Sequence, residues 1–366
     1  MAIFLPVTML PLAGHDEVRG RLSAARRSGR LPQVILLEGA EGVGRQRLAL
    51  WLAQLLFCAA PAEEPCGRCR PCRLVLELSH PDLHWFIPVV RPKAADADKA
   101  VEEAAELIGQ AVEERRKQPL YGPPEGMASH GMASVRLLQR RASLTAVEGG
   151  PRVFIVGHAE RLVPQESSPE AANAVLKLLE EPPAGSVFLL TATDAGRLLP
   201  TIRSRVVPVR LGRLPDATVE RFLAAHAGLS GAALVERVRL AEGSIGAAVT
   251  ASDAAEKAHR AAAELLEAAL ADGTAMPERA MKQKAFEARG DFSAMLDALE
   301  DTLGDAARVA SGAAPRRQPP RVLRQRPMAG LLAAQRHVAA AREAAAGNVN
   351  PQLLVAVLGR QLAECL

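Results

Sequence analysis

Between Val34 and Arg210 short apolar runs recur along the chain, Val34-Ile35-Leu36-Leu37, Val153-Phe154-Ile155-Val156, Val187-Phe188-Leu189-Leu190 and Val206-Val207-Pro208-Val209, with helical patterns between them. Such alternation predicts a parallel sheet covered by helices. The segment Arg45 to Phe57 carries apolar residues on every side. That pattern predicts a helix buried against the sheet, entered from the first strand through a glycine-rich turn. From Pro92 to Ser143 the pattern changes to Ala, Glu, Lys and Arg, followed by the turn formers of Tyr121 to Gly126. An insertion made of a charged helix and a loop is expected there, with Glu102, Glu103, Glu106, Glu113, Glu114, Arg115, Arg116 and Lys117 forming a solvated face. Beyond Leu211 strand signals fade, and Ala-rich helical segments continue to Leu366.

Composition narrows the function classes. At 366 residues the chain is long enough for two or three domains, and 49% hydrophobic with 23% charged residues is ordinary globular usage. Aromatic residues are only 3%, which argues against a single-strand binder built on base stacking. A net charge of +4 permits contact with nucleic acid without requiring it. The run Pro315 to Arg326, with Arg316, Arg317, Arg321, Arg324 and Arg326, reads as a basic loop with phosphate contact as the lesser alternative. No apolar run of about 18 residues predicts a membrane span, and a cytoplasmic protein is expected. The apolar stretch Met1 to Gly14 lacks a basic start and is broken by Pro6 and Pro11, so it is expected to be structured and not a signal peptide.

The turn Gly39-Ala40-Glu41-Gly42-Val43-Gly44-Arg45-Gln46 has the glycine spacing of a phosphate-binding loop. A hydrolytic loop places Lys after the last glycine and then Ser or Thr for magnesium, whereas Arg45 and Gln46 stand here. The glycines alone are equally well explained by a tight strand-to-helix turn. The strand expected to carry the magnesium-binding and water-activating carboxylates ends in Gly157-His158, which supplies neither. His158, a lone imidazole at a strand end, is read as structural. The loop is expected not to support ATP hydrolysis, and passive binding of ATP stays open.

Cys58, Cys66, Cys69 and Cys72 form a C-x7-C-x2-C-x2-C cluster, leaving Cys365 as a separate thiol. Two closely spaced CxxC steps can converge on one tetrahedral zinc. A redox pair or unligated thiols are weaker explanations for four cysteines so close together. Four sulfur ligands leave no open position, so the site is expected to be structural.

With Gly14-His15, Gly29-Arg30-Leu31-Pro32-Gln33, the loop, the cysteine cluster and His80-Pro81-Asp82-Leu83, the chain resembles the delta-prime family of bacterial DNA polymerase III clamp-loader subunits, which are AAA+ proteins. The most specific likeness is Asn173-Ala174-Val175-Leu176-Lys177-Leu178-Leu179-Glu180-Glu181-Pro182-Pro183, then Phe188 to Thr193 and Leu198 to Arg205. Ser168 suits a helix cap, Pro169 a first helical position, and Pro182-Pro183 a stop. The resemblance implies that Thr191-Ala192-Thr193 faces the phosphate site. It also implies that Ser204-Arg205 is an arginine-finger motif offered to a neighbouring ATPase, with Val206 in place of the common Cys. Leu240 to Ala248 resembles the lid motif, with Gly246 where motor subunits carry a sensor arginine. Asn348 to Leu354 resembles the last collar helix, with Asn350 as cap and Pro351 at the first position.

These readings imply an α/β AAA+ domain with a zinc knuckle over residues 1–212, a helical lid over 213–254 and an all-α collar over 255–366. The implied function is a non-hydrolysing subunit that gives Arg205 to a motor subunit. Its implied partners are the motor and delta subunits of a hetero-pentamer, the sliding clamp and, through the assembly, primed DNA. Two alternatives are an ATP-hydrolysing motor subunit of the same loader or a related AAA+ ATPase, and a zinc-knuckle nucleic-acid binder. Lys and Thr after Gly44 would have favoured the first, and a stronger positive charge the second.

Overall fold

The computed structural model describes residues 9–119, 121, 128–162, 170–250, 253–271, 275–283, 291–315, 317–346 and 349–366. The expected cap Ser168 with Pro169, most of the turn-rich stretch after Tyr121, Arg316 and Asn348 lie outside them, as does the start of the Met1 to Gly14 segment. In chain order the elements are α1 (Asp16–Arg27), β1 (Val34–Glu38), α2 (Arg45–Phe57), α3 (Arg70–Leu76), β2 (Leu83–Phe86), α4 (Ala97–Lys117), α5 (Met132–Ala142), β3 (Arg152–Val156), α6 (Glu170–Glu180), β4 (Ser186–Ala192), α7 (Pro200–Arg203) and β5 (Val207–Arg210). They continue as α8 (Asp216–His226), α9 (Gly231–Ala241), α10 (Ile245–Thr250), α11 (Asp253–Leu270), α12 (Ala275–Lys282), α13 (Asp291–Ala310), α14 (Met328–Ala346) and α15 (Pro351–Cys365).

The five strands make one parallel sheet in the order β2-β3-β4-β1-β5, so the expected α/β class holds. Alternate residues of the central strands point to opposite faces, and both faces are apolar, as a parallel sheet covered on two sides requires. Val34, Leu36, Phe154, Val156, Phe188 and Leu190 pack with Val101 and Ile108 of α4, Val135 and Leu138 of α5, and Val175 and Leu179 of α6. Ile35, Leu37, Val153, Ile155 and Leu189 pack with Leu48, Leu52 and Leu55 of α2 and with Val18 and Leu22 of α1. The segment expected as an insertion is therefore part of the sheet's own cover. β2, Leu-His-Trp-Phe, is the strand that the apolar runs did not signal, because a polar residue interrupts its short run.

Two compact units divide the chain at Val249 and Thr250. In the first, α8 to α10 form a small core of their own around Val219, Leu223, Leu234 and Val238. The second is all-helical, with Leu265, Leu299, Leu303, Leu331, Val338, Val355 and Leu362 completely or almost completely buried. Its fully buried Ala262 and Ala334 let the helices approach closely. Asn350 accepts the Gln352 N–H at 2.9 Å ahead of Pro351, the expected cap of α15. Among the described residues no helix is long and apolar enough to cross a membrane.

Candidate phosphate loop, cysteine cluster and arginine edge

The glycine loop leaves β1 and enters α2 through backbone that only glycine adopts without strain, with φ of +74° at Gly42 and +106° at Gly44. Gly39 needs its missing side chain for another reason: a Cβ there would lie 2.6 Å from the Leu211 carbonyl oxygen. Gly42 meets the start of α10 backbone to backbone. The Gly246 N–H donates to the Gly42 carbonyl at 2.9 Å, and a Cβ on Gly246 would stand 2.4 Å from the Gly42 Cα. Ser244 Oγ donates to the Glu41 carbonyl at 2.8 Å, and His15 Nε2 lies 2.7 Å from the Val43 carbonyl. Gly246 thus stands where an arginine side chain would not fit against the loop.

Arg45 and Gln46, the two departures from a hydrolytic loop, are both buried. Arg45 Nη2 donates to Glu41 at 2.9 Å, while its Nη1 is buried without a partner. Gln46 Oε1 accepts from Arg115 Nη1 at 2.8 Å, and the Gln46 amide also lies where a Cβ on Gly157 would touch it. Arg115 corrects the expectation of a solvated face, because it is only 6% exposed. Its guanidinium lies 4.7 Å from the Trp85 ring and 4.2 Å from Tyr121, so aromatic faces and an amide replace the water that it has lost. Glu113, Arg116 and Lys117 do form a local ion-pair group, as expected of a helix surface.

A second correction concerns the end of β3. Gly157-His158 supplies no carboxylate, but Glu160 two residues later is buried in the same region. Its Oε1 accepts from Thr193 Oγ1 at 3.1 Å and lies 3.7 Å from His158 Nδ1, while Oε2 is buried without a partner. Burial pushes this carboxyl up, yet the His158 hydrogen bond, its own backbone N–H and the Arg45 charge bring it down to about 2. Thr191 accepts the His158 backbone N–H at 3.0 Å, so both threonines of Thr191-Ala192-Thr193 are engaged beside the glycine loop's strand. His130 Nε2 contacts the Gly157 carbonyl at 2.7 Å, and burial holds its imidazole down at about 4. The sequence held one clue to Glu160, a carboxylate two places beyond His158, and none to His130.

The four cysteines come together as the spacing predicts. Cys58 ends α2, Cys69 caps α3, Cys72 lies in its first turn, and all four Sγ atoms are within 4.8 Å of one another. A tetrahedral metal with metal–sulfur bonds of ~2.3 Å requires sulfurs about 3.8 Å apart, a small adjustment from this arrangement. Backbone N–H groups of Arg68 and Cys69 pull the Cys66 thiol down to about 6, favouring the thiolate a metal would use. Burial pushes Cys72 in the opposite direction, which a nearby cation would offset. The loop between Cys58 and Cys66 is fastened by Glu64, which accepts from Trp51 Nε1 and pairs with Arg19, both at 2.6 Å. The donor set and its convergence fit a metal such as zinc.

Arg205 lies at the opening of β5, after α7. Its Nε donates to Glu180 Oε1 at 2.6 Å, its Nη2 reaches the same carboxylate, and its Nη1 donates to the Thr201 carbonyl at 2.7 Å and to Ser204 Oγ at 3.0 Å. The side chain keeps 30% of its surface exposed. Val206 is buried beneath it in the sheet's core.

Residues 14–215 match the family model described as "DNA polymerase III, delta subunit". DNA polymerase III subunit delta' of Escherichia coli is 30% identical over 63% of this chain and 57% of its own length. The Bacillus subtilis delta' subunit is 28% identical over 54% and 49%. The chain therefore spans only about half the length of these relatives in the matched region. A gamma/tau subunit from Mycobacterium tuberculosis is 31% identical over 60% of this chain and 31% of its own. Among solved structures, a gamma subunit-related protein of Thermotoga maritima overlays 94% of this chain and 98% of its own at 16% identity and a TM-score of 0.41, too low to bear on function. Because the family match covers more than half of the 366 residues, the chain belongs to the family described as DNA polymerase III, delta subunit.

Proposed function

We propose that this subunit does not hydrolyse ATP and instead lends Arg205 to an ATP-bound motor subunit beside it, assisting the loading of a sliding clamp onto primed DNA. One contrast supports the reading: the phosphate loop is closed by its own chain, whereas a guanidinium at the sheet edge stays partly open to solvent. At the loop, α10 sits against Gly42, and Arg45 and Gln46 are tied to Glu41 and Arg115. Glu160, at the turn after β3, has its Oε1 bonded to Thr193 and facing His158. An arginine delivered from outside stabilises charge that develops on a transferring phosphoryl group, so a subunit without hydrolysis can still govern the rate of its neighbour.

Cys58, Cys66, Cys69 and Cys72 would hold a structural zinc, whose chemistry here is charge neutralisation and cross-linking of a loop. Those residues join the end of α2 to α3 and leave no ligand position for substrate. The boundaries 1–212, 213–254 and 255–366 are retained as the proposed AAA+, lid and collar divisions, the last with the helices through which motor and delta subunits would assemble.

The test is ATP turnover by the motor subunits, with clamp and primed DNA, in the presence of the intact chain or its Arg205→Ala variant. The intact chain should stimulate and the variant should fall well short; equal stimulation would overturn the arginine-donor role.

A further inference from the structure

We propose that Glu180 is the resting partner of Arg205 and sets how readily that arginine turns to a neighbour's phosphate, an inference that rests on the arginine-donor reading. Pro182-Pro183 stops α6 just after Glu180, which leaves this carboxylate at the helix end facing the guanidinium. A guanidinium has five N–H donors. In the isolated chain Nε and Nη2 both address Glu180, while Nη1 serves the Thr201 carbonyl and Ser204 Oγ. One N–H on Nη2 is left over.

Carboxylate and phosphate are recognised by the same planar fork. Glu180 occupies the Nε/Nη2 edge, the edge that a phosphate would take bidentately. The contacts to Thr201 and Ser204 are on the other nitrogen, so they can persist while the anion is exchanged. Engagement then amounts to replacing one anion by another on an otherwise held side chain. The pair is not buried, at 30% exposure for Arg205 and 45% for Glu180, so its strength belongs to the weak surface class. Glu180 is consequently a threshold and not a block.

The test compares motor-subunit ATP turnover, with clamp and primed DNA and a saturating amount of this chain, for the intact protein, Glu180→Gln, Glu180→Asp, Arg205→Ala and the double variant Glu180→Gln/Arg205→Ala. Glu180→Gln keeps the shape and removes the charge, and it should raise turnover about two- to five-fold, the range that a surface pair of this kind implies. Glu180→Asp, which keeps the charge, should track the intact chain, and the double variant should match Arg205→Ala. A gain of turnover is not something that a damaged scaffold would produce. If Glu180→Gln lowers turnover or leaves it unchanged while Arg205→Ala still lowers it, the role of Glu180 is wrong and the arginine-donor reading stands. If Arg205→Ala is as active as the intact chain, both fall.

Discussion

Arg115 donates to Gln46 Oε1 at 2.8 Å, joining the end of α4 to the first turn of α2 at the place where a hydrolytic loop would hold magnesium. The arginine lies against both Trp85 and Tyr121, whose rings meet each other edge to face at 5.9 Å, and is almost completely buried. Removing it strands the Gln46 carbonyl and opens a gap beside two aromatic rings. Arg115→Ala should therefore cost about 2–3 kcal/mol of stability, as for a buried charged hydrogen bond with cation–π contacts. Denaturant unfolding of the intact chain and the variant measures this, and a loss within error of zero would mean that the pair is not formed in solution.

The closure of the glycine loop gives a prediction about nucleotide. Restoring the usual residues with Arg45→Lys and Gln46→Thr should not restore saturable ATP binding, because the start of α10 still packs backbone to backbone against the loop at Gly42. Fluorescence anisotropy with a labelled ATP analogue checks it. Saturable binding by the double variant would show that the two side chains alone had closed the site.

Most of the sheet and the cysteine cluster were legible in sequence, because each depends on local pattern: apolar runs for β1, β3, β4 and β5, and ligand spacing for Cys58 to Cys72. Arg115 was not. On its helix it stands among Glu and Arg neighbours, and its burial is decided by Trp85 and Tyr121, brought together only by the fold. Glu160 was missed for a related reason, since the chain turns sharply after β3 with His158 at φ +54° and brings the carboxylate back toward Thr193. The sequence shows Gly246 where the resemblance would place an arginine, but its packing against Gly42 joins residues from distant parts of the sequence.

The cysteine cluster predicts one zinc per chain by elemental analysis of protein prepared without chelator. Stripping it, or substituting Cys72→Ser, should lower the unfolding midpoint, since binding energy at a structural site is folding energy. Metal content unchanged in Cys72→Ser would remove this residue from the ligand set.

Acid should weaken the first unit before it approaches carboxylate titration. His130 is held at about 4 by burial, and His84 also at about 4 by burial and the nearby Arg141 charge, against 6.5 for an ordinary imidazole. The unfolded chain binds these protons first, so stability is fully present above pH 6.5 and is lost as pH falls toward 4. His130 alone should account for a loss on the order of 3 kcal/mol across that window. Glu160, held at about 2, adds its loss only below its ordinary value of 4.5. Urea titrations at stepped pH measure the slope, which His130→Gln should flatten between pH 6.5 and 4; an unchanged slope would show that His130 is not buried neutral.

The central claim is that this chain acts through Arg205 and not through its own phosphate loop. ATP turnover should be measured for the chain alone, for the motor subunits with clamp and primed DNA, and for that mixture completed with either the intact chain or Arg205→Ala. The chain alone should be silent, the intact chain should stimulate strongly, and Arg205→Ala should lose most of that stimulation. Hydrolysis by the chain alone, or full stimulation by Arg205→Ala, would contradict it.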